Sequence, residues 1–173
     1  MSVRLVALTL MATLVACDLG DVLPSMRGAG SSSSAVEDEP KPASSAAKKE
    51  ALVASLETLQ AFVGACSKRK IKLTDSTIIT EKQGNDPNKL VGRPGQYLAK
   101  LNWKINGNDA TIEVFANGKD AKRRADYVEG IAKASPMFLQ YIYVHPLKHA
   151  VLRVPKELSP SDAEKWEALL LSI

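Results

Sequence analysis

Two cysteines and two histidines are the only thiols and imidazoles in this 173-residue chain, and their spacing bounds the chemistry open to it. Cys17 closes an apolar leader. Cys66 falls on the apolar stripe of a helical pattern and reads as a small buried hydrophobe rather than a nucleophile. His145 and His149 stand four apart, a spacing that on a helix puts both imidazoles on one face, as zinc sites use. Pro146 and the alternation around them argue instead for a hairpin turn with both histidines exposed, and no third ligand lies near in sequence. Asp86, with Asn85 and Asn88, could offer oxygens to calcium, but no bidentate Glu ends that loop. There is neither a G-x-S-x-G nucleophile motif nor a phosphate loop of G-x-x-x-x-G-K-[ST] spacing. The expectation is a non-enzyme with no catalytic residue, no metal and no cofactor.

The leader reads MSVRLVALTLMATLVAC, with Arg4 as its basic part and an apolar run from Leu5 to Ala16. A helix of that run covers ~18 Å at ~1.5 Å per residue, well short of a ~30 Å hydrocarbon core, so it suits a secretory signal better than a permanent span. Leu14-Val15-Ala16-Cys17 resembles the lipobox of bacterial lipoproteins. The resemblance implies that residues 1–16 are a signal peptide cleaved before Cys17. It also implies a thioether-linked diacylglyceryl group on the thiol and, usually, an acyl chain such as palmitate on the new amino group. Two or more chains anchor a protein stably, so the protein would sit on the extracytoplasmic side of the cell membrane. In a cell with two membranes, Asp18 resembles the inner-membrane retention signal of enteric lipoproteins.

The remaining sequence separates into a tether and a domain. Residues 17–47 carry Gly28-Ala29-Gly30, the serine run Ser31 to Ser34, Glu37-Asp38-Glu39, Pro40 and Pro42, and few large apolar side chains. Such a segment buries too little to offset its ordering entropy, so a flexible linker reaching roughly 30 Å is expected. Residues 48–173 are long enough for one core. The net charge of +4, from 23 basic and 19 acidic residues, is too weak a bias for a nucleic-acid partner.

Within the domain, Leu52, Leu56, Leu59, Val63 and Cys66 recur at helical spacing over Lys48–Ser67. A strand is predicted over Ser76–Glu81, and a turn-rich loop from Gln83 to Gln96. Tyr97, Ala99, Leu101, Trp103 and Ile105 alternate with Lys100, Asn102 and Lys104, which predicts a strand with one face on a core. Asn106-Gly107-Asn108-Asp109 predicts a hairpin turn returning through Ala110–Phe115. Asn117 caps a helix over Lys119–Lys133 that Pro136 ends, two strands follow at Phe138–His145 and His149–Val154, and Ser159-Pro160-Ser161-Asp162 opens a last helix. The order α-βββ-α-ββ-α predicts an α+β fold, a small, mainly antiparallel sheet with helices packed against it.

The loop is the best binding candidate, because a long loop in a compact domain is often functional. Arg93, between Gly92 and Pro94, could pair with a carboxylate or phosphate, with Asp86 and Asn88 beside it, or could brace the loop against the domain. Lys119, Lys122, Arg123 and Arg124 read as a solvated helix face whose charge is partly answered by Asp120 with Arg124 and Asp126 with Lys122. The stretch Asn85 to Tyr97, together with Glu113-Val114-Phe115, the run Asp120–Ala134, a Tyr-rich strand, Leu152-Arg153-Val154 and Leu158-Ser159-Pro160, resembles a family of small secreted or lipid-anchored bacterial proteins of no established activity. That resemblance implies a location and a domain type and brings no catalytic residue. The function expected is a non-catalytic binding or interaction module, its partners being the membrane through the anchor on Cys17 and an envelope protein or wall polymer. The alternatives are a structural or auxiliary subunit of an envelope complex, which an exposed aromatic surface around Tyr141 and Tyr143 would favour, and a small hydrolase or metal-dependent enzyme.

Overall fold

The computed structural model describes Ser45–Ile173 apart from Gly84. The expected signal peptide, Cys17 and the tether up to residue 44 lie outside the described residues. Helix α1 (Ser45–Lys68) starts three residues before the expected Lys48, so Ser45, Ala46 and Ala47 belong to the helix rather than to the linker. Strands β1 (Thr74–Thr80), β2 (Ala99–Ile105) and β3 (Asn108–Val114) follow, then α2 (Gly118–Ala134), β4 (Gln140–His145), β5 (Ala150–Pro155) and α3 (Pro160–Leu170). The five strands form one antiparallel sheet in the order β1-β2-β3-β5-β4, an α+β architecture with the expected element order.

Local chemistry explains the boundaries. Ile105 pairs with Asn108 across Asn106-Gly107, and both turn residues have positive φ (52° and 83°), the two-residue turn whose twist matches a hairpin. Asn117 and Ser159 each accept a hydrogen bond from the amide three residues on, Asp120 and Asp162, so the caps read in the sequence do satisfy orphan donors. Helix α1 closes with Ile71 N–H donating to Cys66 O at 2.9 Å over Lys70 in the left-handed region (φ 57°).

The period-two alternation of the strands sends their side chains to two faces, and both are covered. Ala99, Leu101 and Trp103 join Ala110, Ile112, Val114, Ala150, Leu152 and Val154 under α1 and α3. Phe62, absent from the expected stripe of α1, sits at its centre: its ring lies 5.6 Å from Trp103 and 6.4 Å from Trp166. Buried Ser55 and Thr58 donate to the carbonyls of Ala51 and Ala54, one turn back, which satisfies their hydroxyls inside the core. On the other face α2 lays Ala121, Ala125, Val128 and Ala132 against the sheet, most closely over β4 and β5. Tyr97 crosses to this side, edge-on to Phe115 with ring centroids 6.4 Å apart, instead of continuing the alternation of β2.

Candidate functional site

The loop between β1 and β2 is built around Asp86. Its carboxylate accepts from the amides of Asn88 (3.2 Å), Leu90 (2.7 Å) and Val91 (2.9 Å) and from the Tyr97 hydroxyl (2.8 Å). Burial works to raise the pKa of Asp86, but these donors outweigh it and hold the carboxyl below its ordinary value. Burial, and then the Asp86 carboxylate, push the Tyr97 phenol well above its usual range, so it stays a donor. Gly92 and Gly95, both at positive φ, complete the chain of turns, and a Cβ on Gly95 would collide with the Arg123 guanidinium, which donates to Gly95 O at 2.8 Å.

Beside this loop, under α2, lies a buried charge cluster. Glu113 on β3 has a side chain 0 % exposed, and three cations converge on it. Arg124 reaches down from α2 and binds both carboxylate oxygens, Nε at 2.8 Å and Nη2 at 3.0 Å. Arg153 Nη2 on β5 donates to Oε1 at 3.2 Å, and Lys100 Nζ on β2 stands 3.9 Å from the same oxygen. The register makes this arrangement possible, because Lys100 faces Glu113 across β2–β3 while Arg153 pairs with Thr111, two residues from Glu113 on the same face. Burial would raise the Glu113 pKa; the Arg124 hydrogen bonds and the charges of Arg153, Arg124 and Lys100 reverse the sign and hold it below the ordinary value. Burial lowers the Lys100 and Arg153 pKa values despite Glu113, whereas the two-pronged bond lifts that of Arg124. Three cations around one carboxylate leave two positive charges in excess.

Loop and cluster meet at a pocket of about 310 Å³ lined by Leu90, Gly95, Gln96, Arg123, Arg124 and Tyr127. A larger open groove of about 950 Å³ runs between the end of α1 and β1, past Val63, Ile71, Leu73 and Ile78. It collects fewer charged groups, and Cys66 in its wall is buried, with burial pushing the thiol up to about 11. That thiol stays protonated and poorly nucleophilic at neutral pH.

The structure places the residues singled out in the sequence as follows. Asp86 points inward and is spent on the loop itself, while Asn88 and Arg93 are exposed and form no side-chain hydrogen bond or ion pair with a described residue. Arg93 therefore does not brace the loop; only its backbone does, donating to Leu90 O at 3.1 Å. His145 corrects the expectation of two exposed histidines: it is 5 % exposed, its Nδ1 accepts from Lys148 N–H at 3.2 Å, and its Nε2 is buried without a hydrogen-bond partner among the described residues. His149 lies within 3.0 Å of Pro146 O, so both imidazoles serve the β4–β5 turn. Among the described residues no three His, Cys, Asp or Glu side chains are grouped as a metal would need. Tyr141 and Tyr143 are half-buried against the α1/α3 core, Tyr141 donating to Leu158 O at 3.3 Å, and so form no exposed aromatic surface. On α2, Lys122 pairs with Asp126 as expected (2.9 Å), but Asp120 pairs with Arg123 (3.0 Å), because Arg124 turns into the sheet. Sequence reasoning misses Lys100, Glu113 and Arg153 as a site, because they lie on three different strands and only the sheet register brings them together. The single cue was Glu113 among Ala110, Ile112, Val114 and Phe115. Comparisons with known protein families, with curated proteins and with solved structures found no match to this chain.

Proposed function

We propose that this protein is a lipid-anchored module of the cell envelope, held on the extracytoplasmic side of the membrane through Cys17, that binds a partner without altering it chemically. Its location is supported by Leu14-Val15-Ala16-Cys17 at the end of a basic and apolar leader. Binding is supported by one observation above the others: the pocket between the loop and α2, where surplus positive charge meets side chains with unused donors. A convergence of an apolar wall with a few oriented polar groups is the ordinary character of a recognition site. The thiol and the imidazoles of the described domain are occupied in packing and in a turn, which favours recognition over catalysis.

Labelled palmitate fed to the host should travel with the wild-type protein and not with Cys17→Ala, and that variant should leave the membrane fraction. An intact mass that retains the leader, or a mature start elsewhere, overturns the anchor. For the binding role, the immobilised full chain should retain a component of envelope extract that Arg93→Ala retains less. Turnover of substrate by the purified chain would replace binding with catalysis.

A further inference from the structure

The pocket beside α2 has the chemistry of a receptor for one kind of ligand. Its charge is positive: Lys100, Arg124 and Arg153 share the single carboxylate of Glu113, while of the carboxylates beside the pocket Asp86 is saturated by four donors and Asp120 is paired with Arg123 at 3.0 Å. Placing cations at the edge of a poorly solvated cluster favours an incoming anion, because burial weakens competition from water. Donors remain for it. Arg124 gives Nε and Nη2 to Glu113 and leaves Nη1 without a hydrogen bond to a described residue; the side-chain amide of Gln96 and the Tyr127 hydroxyl likewise have none. The walls are apolar as well as polar: Leu90 on the loop side, and on α2 the Tyr127 ring, 60 % exposed and stacked 5.8 Å from the Arg124 guanidinium carbon. Arg123 fixes the rim by holding Gly95 O.

We propose that this pocket binds the carboxylate of a small organic acid, with the anionic end on Arg124 and Gln96 and the apolar body between Leu90 and Tyr127. The planar guanidinium edge suits a carboxylate. About 310 Å³ admits a ring or short chain and little more. Free phosphate meets the same charge but has no body for Leu90 and Tyr127 to cover. The proposal rests on the binding-module reading and gives it a ligand class.

Benzoate titrated into the full chain and followed by calorimetry is the direct probe, with benzamide as its neutral counterpart and inorganic phosphate as the bodiless anion. Benzoate should bind saturably and at least about tenfold more tightly than either, the factor that separates a paired from an absent charge-assisted bond. Gln96→Leu, which takes no hydrogen bond from the Glu113 cluster, and Tyr127→Ala, which removes the ring against Arg124 but no charge, should each weaken benzoate at least threefold or so, with thermal unfolding unchanged in Gln96→Leu and still cooperative in Tyr127→Ala. The assignment is overturned by equal binding of benzoate and benzamide, by phosphate matching benzoate, by indifference to both variants, or by no heat up to about 10 mM, ten times a Kd of about 1 mM. Should benzoate fail while the immobilised chain still retains its Arg93-dependent component, the ligand class is wrong and the binding role stands. Should both fail, the binding role falls with it.

Discussion

On the side of the sheet covered by α1 and α3, the strands present Leu101, Trp103, Ile112, Leu152 and Val154; on the side covered by α2 they present Lys100, Thr111, Glu113 and Arg153. Both sides exclude water. The first does so with apolar volume, which needs only to fit, and the second with the apolar face of α2 together with charges, which need partners at defined distances. Apolar burial supplies stability without direction. A buried ion cluster contributes little net stability against an apolar replacement, yet it is intolerant of losing one member. The α2 side therefore carries positional information that the α1/α3 side does not, and it borders the pocket.

The most severe way to break this contrast is Glu113→Gln, which leaves Lys100, Arg124 and Arg153 facing one another without a carboxylate. A loss of about 3–5 kcal/mol in urea unfolding is expected. Replacing Lys100, Glu113, Arg124 and Arg153 together by Met, Leu, Met and Met should restore most of it, and failure to do so would show that the cluster is a net source of stability.

Acid attacks the same side. Glu113 and Asp86 titrate lower in the folded protein than in the unfolded one. Their stabilisation is complete above the unfolded values, about 4.3 and 3.9, and is lost as pH falls toward the folded ones. Unfolding free energy should drop most steeply below about pH 4, and Glu113→Gln should flatten that limb. An unchanged acid limb in the variant would place the dependence elsewhere.

On the apolar side, Trp103→Phe should cost about 1–2 kcal/mol, because it removes packed volume while the buried Nε1, which has no partner among the described residues, surrenders no hydrogen bond. Benzoate affinity should be unaffected; a change in it would mean that the two faces communicate. The mildest test pairs the helix caps, Asn117→Ala on α2 and Ser159→Ala on α3, at about 1 kcal/mol each. Their effects should add to within about 0.5 kcal/mol in the double variant, since they sit on opposite sides of the sheet.

The sequence disclosed the elements well, because caps, turns and strand alternation are local signals. Asn117, Ser159 and Asn106-Gly107 each act within four residues of themselves. What it hid was which residues distant elements would cover. Lys100 alternates with Ala99 and Leu101 like any solvated strand lysine, yet it is buried, with its amine beside Glu113 of β3 and over the Tyr97 ring at 5.4 Å. Arg124 had a plausible local partner in Asp120, one turn away, and the stronger partner lay on another element. In the loop the sequence singled out, Asp86 is spent on the turns, and Leu90, Gly95 and Gln96 rather than Asp86, Asn88 or Arg93 line the pocket.

Trp103 and Trp166, the two tryptophans of the chain, lie 5.5 Å apart on the apolar side. Intrinsic indole emission is thus a local reporter, with both fluorophores watching one half of the domain. A transition followed at 295 nm excitation will register α1 and α3 parting from the sheet and stay silent while α2 lifts away from Glu113. Tyr97 and Tyr127 stand on that silent half, whereas Tyr141 and Tyr143 pack on the other, so tyrosine absorbance recorded in a variant carrying Tyr141→Phe and Tyr143→Phe supplies the missing optical channel. If the two signals separate along a denaturant series, the α2 side opens independently of the rest.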